Sequence, residues 1–332
     1  MKSPITGKEM QVVKELRKSS FRKEEFEIVF HAYKCMDTGE FFEDDLFSQL
    51  NYNQVLNKYR EKNSIPFPEQ IIEIREKYGV SASKMSEILG FGINTYRQYE
   101  AGEVPSASNA MLINLISDPH EFKKAIEKNK NLNNSFKIKT IKRIDKILEN
   151  ARDNKQIRYF QLYLTGDCVA DSFTGYKTPN IEKLANMIVF YAEKTQAWKT
   201  KLNKLLFYAD FAMFKTYGQS ISGFRYAAID LGPVPNNFNV LYGYLINKNK
   251  LRVEYSYFTN GIGELIKKSQ TDFQPELFKQ EEINTMNMVL EKFKETTTQD
   301  IIEISHTENA WKDNVDSKSL INYKYGFDLK AI

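Results

Sequence analysis

The run KLNKLLFYADF at residues 201–211 decides the fold of the C-terminal part of this chain. Its apolar side chains recur with the spacing of one helical face, which predicts a helix packed in a core. The predicted core stripe consists of Leu202, Leu205, Leu206, Ala209 and residues 211–213, with Lys201 and Lys204 beside it. Asp210 falls near this stripe, so its carboxylate is expected to be partly buried and to need a polar partner. Arg225 and Tyr226 are the candidates for that partner.

The sequence around this run predicts more helices than strands. Helices are expected at 180–197, 199–217, 236–247, 279–295 and 299–306, with a strand at 224–230 and a strand pair within 251–259. The sequence GPVP at 232–235 contains two prolines and is expected to form an irregular turn. The fold class follows as α+β and mostly α. It comprises a small β domain at the N-terminus, a helical bundle, and a mainly helical C-terminal domain with a small sheet.

Composition shifts and turn residues divide the chain into four segments, at 1–65, 66–120, 121–175 and 176–332. The first contains a strand-like stretch at 25–35 and a predicted helix at 43–62. The third contains the polar stretch NKNLNNSFK, typical of a linker, followed by an amphipathic helix at 137–150. The cations of this helix are Lys137, Lys139, Lys142, Arg143 and Lys146. They form either a solvated outer face or a surface for phosphates.

The composition excludes several protein classes. The 332 residues are 42% hydrophobic and 27% charged, and the net charge of +4 does not by itself indicate nucleic-acid binding. No apolar run reaches the length of a membrane span and no signal peptide is seen, which predicts a cytoplasmic protein without a membrane partner. Cys35 and Cys168 are too few for a disulfide framework or a four-cysteine zinc site.

No catalytic motif is found in the sequence. GxSxG, HExxH, a phosphate-binding loop and a dinucleotide fingerprint are all missing, and the three histidines lie in different segments. We therefore expect neither an enzyme nor a cofactor. One alternative stays open, which is a hydrolase that uses His306 with Asp210 or Glu308.

Two turns near the N-terminus share one frame. They are Ser3-x-x-Thr6-Gly7 and Cys35-x-x-Thr38-Gly39. Zinc knuckles place two thiolates in this frame, and glycine relieves the backbone. One of the four positions is cysteine and hydroxyl groups are poor substitutes, so no metal is expected. The segment resembles the N-terminal domain of MqsA-type antitoxins, which implies a zinc-ribbon-like β domain held by packing; a zinc protein is the alternative.

Residues 66–120 contain the strongest local functional pattern. Helices predicted at 81–89 and 93–100 are joined by a short glycine-containing turn, which is typical of a helix-turn-helix. Ile93 and Tyr96 are expected in the core, whereas residue types suited to base edges and phosphates face outward. These predicted DNA-binding residues are Ser83, Lys84, Asn94, Thr95, Arg97 and Gln98. The run TYRQYEAGEVPS resembles the end of Xre/Cro-type domains, which implies operator binding; a helical adaptor that does not touch DNA is the alternative.

Several motifs between about Gly175 and Ile332, taken in order, resemble the Panacea (SocA-like) antitoxin domain. Their residues are Lys201, Lys204, Tyr208, Asp210, Arg225, Tyr226, Gly232, Pro233, Pro235, His306 and Trp311. The resemblance implies a domain that binds and neutralises a protein toxin. Taken by themselves, His306 and Trp311 are more typical of a helix-end contact and a core anchor.

These observations lead to one hypothesis and one main alternative. The hypothesis is an antitoxin that neutralises the toxin of a neighbouring gene through its C-terminal domain and represses the shared operon through its helix-turn-helix. It is expected to act as a homodimer on operator half-sites about 34 Å apart. The alternative is a stand-alone transcription regulator with a C-terminal sensing domain.

Overall fold

The computed structural model describes residues 1–153, 155–166, 169–195, 198–259, 261–270 and 272–332. Cys168 lies outside the described residues. The chain forms two compact units: the flanking unit, residues 1–16, 29–53 and 163–332, and the middle unit, residues 17–28 and 54–162. The predicted α+β class, mostly α, is confirmed. None of the described helices is long and apolar enough to cross a membrane.

The chain begins with a long β-hairpin and a helix. These elements are β1 (Gln11–Phe21), β2 (Glu24–Lys34), β3 (Phe41–Phe42) and α1 (Asp45–Lys62). The hairpin turns at Arg22 and Lys23, whose positive φ angles of 47° and 69° suit a two-residue hairpin turn. β3 pairs antiparallel with the end of β2. β2 and α1 therefore lie where the sequence predicts a strand and a helix.

Most helices of the middle unit contribute to one core cluster, and a second cluster contains residues of β2 and α1. The helices are α2 (Pro68–Tyr78), α3 (Ala82–Leu89), α4 (Thr95–Glu100), α5 (Ala107–Leu115), α6 (Pro119–Lys128) and α7 (Asn134–Asp153), and α8 (Lys155–Thr165) begins in this unit. Phe122 and Ile144 are fully buried in the same core as Met85 and Tyr96. The apolar residues of α6 and α7 recur at helical spacing and complete the core of α2–α4, and α7 lies where the sequence predicts an amphipathic helix.

A central helix organises the flanking unit. Its helices are α9 (Ile181–Lys194), α10 (Lys199–Tyr217), α11 (Phe238–Asn247), α12 (Gln280–Phe293), α13 (Thr298–Thr307) and α14 (Asn309–Lys312). α10 packs against α9, α12 and α13, and all its residues from 201 to 214 are buried. The prediction of a single stripe flanked by lysines is therefore wrong, since the helix is enclosed on every side and Lys201 and Lys204 are buried with it.

A three-stranded sheet lies beside α10. Its strands are β4 (Tyr226–Ile229), β5 (Gly232–Pro235) and β8 (Leu320–Ile321), in the order β5-β4-β8. The prediction of an irregular turn at 232–235 is wrong, because this segment pairs with β4 through Ala228↔Pro233 and Tyr226↔Pro235. Proline is tolerated there because β5 is an edge strand, where a missing N–H group need not break a ladder.

A separate two-stranded sheet completes the unit. It consists of β6 (Leu251–Phe258) and β7 (Gly261–Lys268), which pair antiparallel over their whole length. The strand pair predicted within 251–259 is thus longer than expected. β6 occupies that range, and β7 lies beyond it.

Candidate functional site

Asp210 is the centre of a buried hydrogen-bond network on α10. Its Oδ1 accepts hydrogen bonds from the amides of Ile221 and Ser222, both at 2.8 Å. Its Oδ2 accepts from the Ser222 hydroxyl at 2.5 Å and from the Tyr226 hydroxyl at 2.7 Å. Burial raises the pKa of Asp210, and these hydrogen bonds oppose the rise. Tyr226 is therefore confirmed as a partner of this carboxylate.

The other predicted partner, Arg225, contacts a different acid. Its Nη2 lies 2.8 Å from Oδ2 of Asp171, so of the two candidates it is Tyr226 that binds Asp210. The sequence analysis did not identify Ser222 as a hydrogen-bond donor to Asp210. The available signal was Gly218, whose φ of 72° ends α10 and turns the chain back toward this helix.

Two further motif residues of α10 hold neighbouring segments in place. Lys201 Nζ donates to backbone carbonyls at residues 294 and 296, just beyond α12, at 3.1 and 2.6 Å. The Tyr208 hydroxyl donates to Glu308 Oε1 at 3.3 Å, and Glu308 also accepts backbone amides of residues 330 and 331. The donors found for Glu308 and Asp210 in the described part of the chain do not include His306, so the hydrolase arrangement gains no support.

Lys204 is fully buried, and its Nζ has no hydrogen-bond partner among the described residues. Burial lowers the pKa of this amine to about 7. Gly232 of β5 makes room for it. A Cβ at that glycine would lie 2.7 Å from Lys204 Cε and 2.4 Å from Ser305 Oγ, so β5 can pass this closely only without a side chain there.

His306 and Trp311 stack where α13 meets α14. Their ring centroids are 3.8 Å apart and the rings are inclined by 13°. Trp311 Nε1 donates to the carbonyl of Ile229 at 2.8 Å, which ties α14 to β4. Burial lowers the pKa of His306, and the charge of Lys204 acts in the same direction. The stacking of His306 agrees with a helix-end contact, whereas Trp311 is half-buried and packs at the edge of the unit, not in its core.

In the middle unit, the buried Tyr96 connects α4 with both α3 and α2. The Tyr96 amide donates to Ser86 Oγ at 3.1 Å, and its hydroxyl donates to the carbonyl of Ile71 at 2.9 Å. α4 begins at Thr95, so Ile93 lies in the preceding turn with 74% of its surface exposed. Its predicted place in the core is wrong, because Tyr96 and Tyr99 already fill the inner face of this short helix.

The side chains predicted to contact DNA lie at or near the surface of this helix pair. Asn94, Arg97 and Gln98 are exposed, and Thr95 is half-buried. On α3, Ser83 is exposed. The remaining residue of the set, Lys84, is half-buried and pairs with Glu87 at 2.5 Å.

The two N-terminal turns have the same backbone geometry. In each, the first residue's amide binds the carbonyl five residues on (Ser3 to Lys8, Cys35 to Glu40), and the glycine amide binds the first residue's carbonyl. The glycines have φ angles of 70° and 77°. The turns bring Thr6 Oγ1 to 3.6 Å from Cys35 Sγ, close to the ~3.8 Å between two sulfurs on one tetrahedral zinc.

The other three predicted knuckle positions therefore surround the sulfur of Cys35. Hydrogen bonds from the hydroxyls of Ser3, Thr38 and Thr6 lower the pKa of Cys35 to about 6. Within the described residues, no group of three or more His, Cys, Asp or Glu side chains could hold a metal ion.

By its fold, the flanking unit is a mainly helical domain with small sheets. Residues 202–312 match the family described as "Antitoxin SocA-like, Panacea domain". The match indicates an antitoxin domain of this kind in that part of the chain and confirms this part of the predicted resemblance. It includes every predicted motif residue except Lys201. A comparison with curated proteins gave no match.

Proposed function

We propose that this chain is an antitoxin that binds and neutralises a protein toxin encoded by a neighbouring gene. The observation that carries the proposal is the match of residues 202–312 to the SocA-like Panacea domain. The toxin-binding part is residues 176–332. This part acts in the cytoplasm by binding the toxin, and it uses no cofactor.

The middle unit represses the shared operon by binding its operator. In support, α3 and α4 are joined by the short turn that a helix-turn-helix requires, and Asn94, Arg97 and Gln98 are exposed on or beside α4. The charge distribution also favours this role. The middle unit has 23 Lys and Arg against 16 Asp and Glu, whereas the flanking unit has 24 against 27. The small net charge of the chain thus conceals one basic unit, which suits a phosphate backbone.

A homodimer is the expected DNA-binding form. α4 has only six residues, so one copy can contact only a few base pairs. Two copies on half-sites about 34 Å apart would give operator specificity, as in other helix-turn-helix dimers. Sedimentation of the chain with and without an operator duplex measures this stoichiometry.

Co-expression with the neighbouring gene tests the antitoxin role. Growth inhibition by that gene should be relieved by the wild-type chain, and the two proteins should co-purify. Inhibition that is unchanged by the chain would contradict the proposal. Operator binding without relief of any toxin would instead support the stand-alone transcription regulator.

The double variant Arg97→Ala, Gln98→Ala separates the two activities. It should lose operator binding and still relieve growth inhibition, because both side chains are exposed in the unit that lacks the Panacea match. A variant that loses both activities would show that the proposed division of labour is wrong.

A further inference from the structure

The outer edge of β7 is open near the tip of its hairpin. β7 pairs with β6 from Lys268 to Gly261, and on its other side the described residues provide only the bridge Trp198↔Leu265. Trp198 has an extended backbone but is the N-cap of α10, so the chain leaves the sheet after a single bridge. Residues 261–264 therefore have no third-strand neighbour in the described part of the chain.

A groove of about 500 Å³ lies along this open edge. Its apolar lining comes from Trp198, Phe258 and Ile262, and the first two rings meet edge to face with centroids 5.5 Å apart. Phe258 and Ile262 are 58% and 62% exposed, so this lining is accessible. Residues 297–299 at the start of α13 also line the groove.

Glycine at two positions of this edge permits a close approach. Gly261 and Gly263 carry no side chain that would keep a neighbouring backbone at a distance. A Cβ at Gly263 would lie 2.7 Å from the Phe258 ring and 2.8 Å from the Trp198 ring, so this glycine also lets both rings pack over the strand. The edge thus combines unpaired backbone with an adjacent aromatic wall.

The charges of the groove are already balanced. Lys199 and Glu264 are the charged residues of its lining, and their side chains pair at 2.8 Å. Lys199 Nζ also lies 5.5 and 5.3 Å from the ring centroids of Phe238 and Tyr242. A charged occupant would find no free counter-charge and would lose its hydration. The groove therefore suits an uncharged segment.

We propose that the toxin binds here by adding an uncharged, extended segment as a third strand beside residues 261–264 of β7. One of its apolar side chains would fill the groove next to Trp198 and Phe258. Strand addition to an open edge draws affinity from main-chain hydrogen bonds and specificity from the adjacent pocket. The inference rests on the proposed function, because the occupant is the toxin.

The test uses the full chain, the purified product of the neighbouring gene, and a matched pair of variants. Ile262→Asp places a charge in the groove. Tyr255→Asp changes a side chain that is also 62% exposed, but on β6 and outside the groove. By isothermal titration, Ile262→Asp should weaken binding about tenfold or more, and Tyr255→Asp should stay within about twofold of wild type. A third variant, Gln299→Arg, alters the groove from α13 without changing the hairpin and should also weaken binding.

Hydrogen exchange of the complex supplies a readout specific to strand addition. Among the backbone amides at 262–264, those that point away from β6 should gain protection when the toxin binds. Wild-type binding that is unchanged in Ile262→Asp and Gln299→Arg, or that leaves these amides unprotected, would overturn the third strand alone. A wild-type chain that does not bind the gene product would contradict the antitoxin proposal itself, and the third strand with it.

Discussion

The two units use their polar residues in opposite ways. α10 is buried from residue 201 to 214, so its polar groups face other parts of the same unit. α7 is 20 residues long and buries only Thr140 and Ile144, which leaves most of its cations at the surface. The comparison shows which property, stability or binding, a substitution of a polar residue should alter in each unit. Substitution of the buried polar residues of α10 should alter stability, and substitution of exposed polar residues in the middle unit should alter DNA binding.

The strongest test of this comparison is Asp210→Ala. It would leave four donors without their acceptor, so we expect the flanking unit to lose about 3–5 kcal/mol of unfolding free energy. Urea denaturation followed by tryptophan fluorescence measures the change, since both Trp residues belong to this unit. Asp230→Ala is the control, because that side chain is 79% exposed and should change stability by less than about 0.5 kcal/mol. Equal effects of the two substitutions would contradict the claim that the buried polar residues of the flanking unit stabilise it.

Lys204→Met, in contrast to Asp210→Ala, should raise the free energy of unfolding. It removes a buried amine that has no hydrogen-bond partner in the described part of the chain and keeps a side chain of similar length, so stability at pH 7 should rise by about 1–4 kcal/mol. The wild-type pKa of about 7 lies below that of an unfolded lysine, so the unfolded state binds more protons between these values. Wild-type stability should therefore fall as the pH drops from about 10 to 7. A Lys204→Met variant that keeps this pH dependence would contradict the assignment.

The pH dependence of stability also distinguishes the two units, because one has a buried histidine and the other an exposed one. His31 in the flanking unit is 2% exposed, and burial lowers its pKa to about 4, whereas His120 in the middle unit is exposed. The unfolded state takes up the proton first as the pH falls from about 6.5 to 4, so His31 should cost about 3 kcal/mol of stability over that window. His31→Gln should remove this loss and His120→Gln should leave it in place, as measured by melting temperature against pH.

The smallest expected effect is that of Arg97→Ala. This side chain is exposed on α4, so the melting temperature should stay unchanged while operator affinity falls by about 1–2 kcal/mol, roughly tenfold. Affinity should also fall with added salt, because each neutralised phosphate releases counterions. A mobility-shift titration with Lys248→Ala as a flanking-unit control measures both effects. A loss of stability in Arg97→Ala would show that α4 is structural.

The sequence predicts α10 itself but not how completely it is buried. Leucines at helical spacing mark the helix, whereas Lys201 and Lys204 suggest an outer face. Their burial depends on distant partners, which are carbonyls beyond α12 for Lys201 and the bare backbone of Gly232 for Lys204. Neither contact recurs at a regular spacing along the chain, so a periodic sequence pattern could not reveal it.

The N-terminal turns show which part of a site local sequence can predict. Each frame of polar residues and glycine fixes its own backbone, so both turns are visible in the sequence. The convergence of Thr6 with Cys35 is not, because it requires the β1–β2 hairpin to bring together residues 29 apart in the chain. The edge of β7 is hidden for the same reason, since the bridge partner of Leu265 is Trp198.

The open edge of β7 also has a consequence for the protein when its partner is scarce. An open strand edge beside exposed apolar side chains is a template for strands of any chain, including further copies of the same one. Lys267 and Lys268 discourage such pairing at one end of β7, but residues 261–263 carry no charge. Solubility should then depend on the ratio of the two gene products. An excess of this chain would self-associate, and under the proposed function the toxin segment would be the cap that keeps it dispersed.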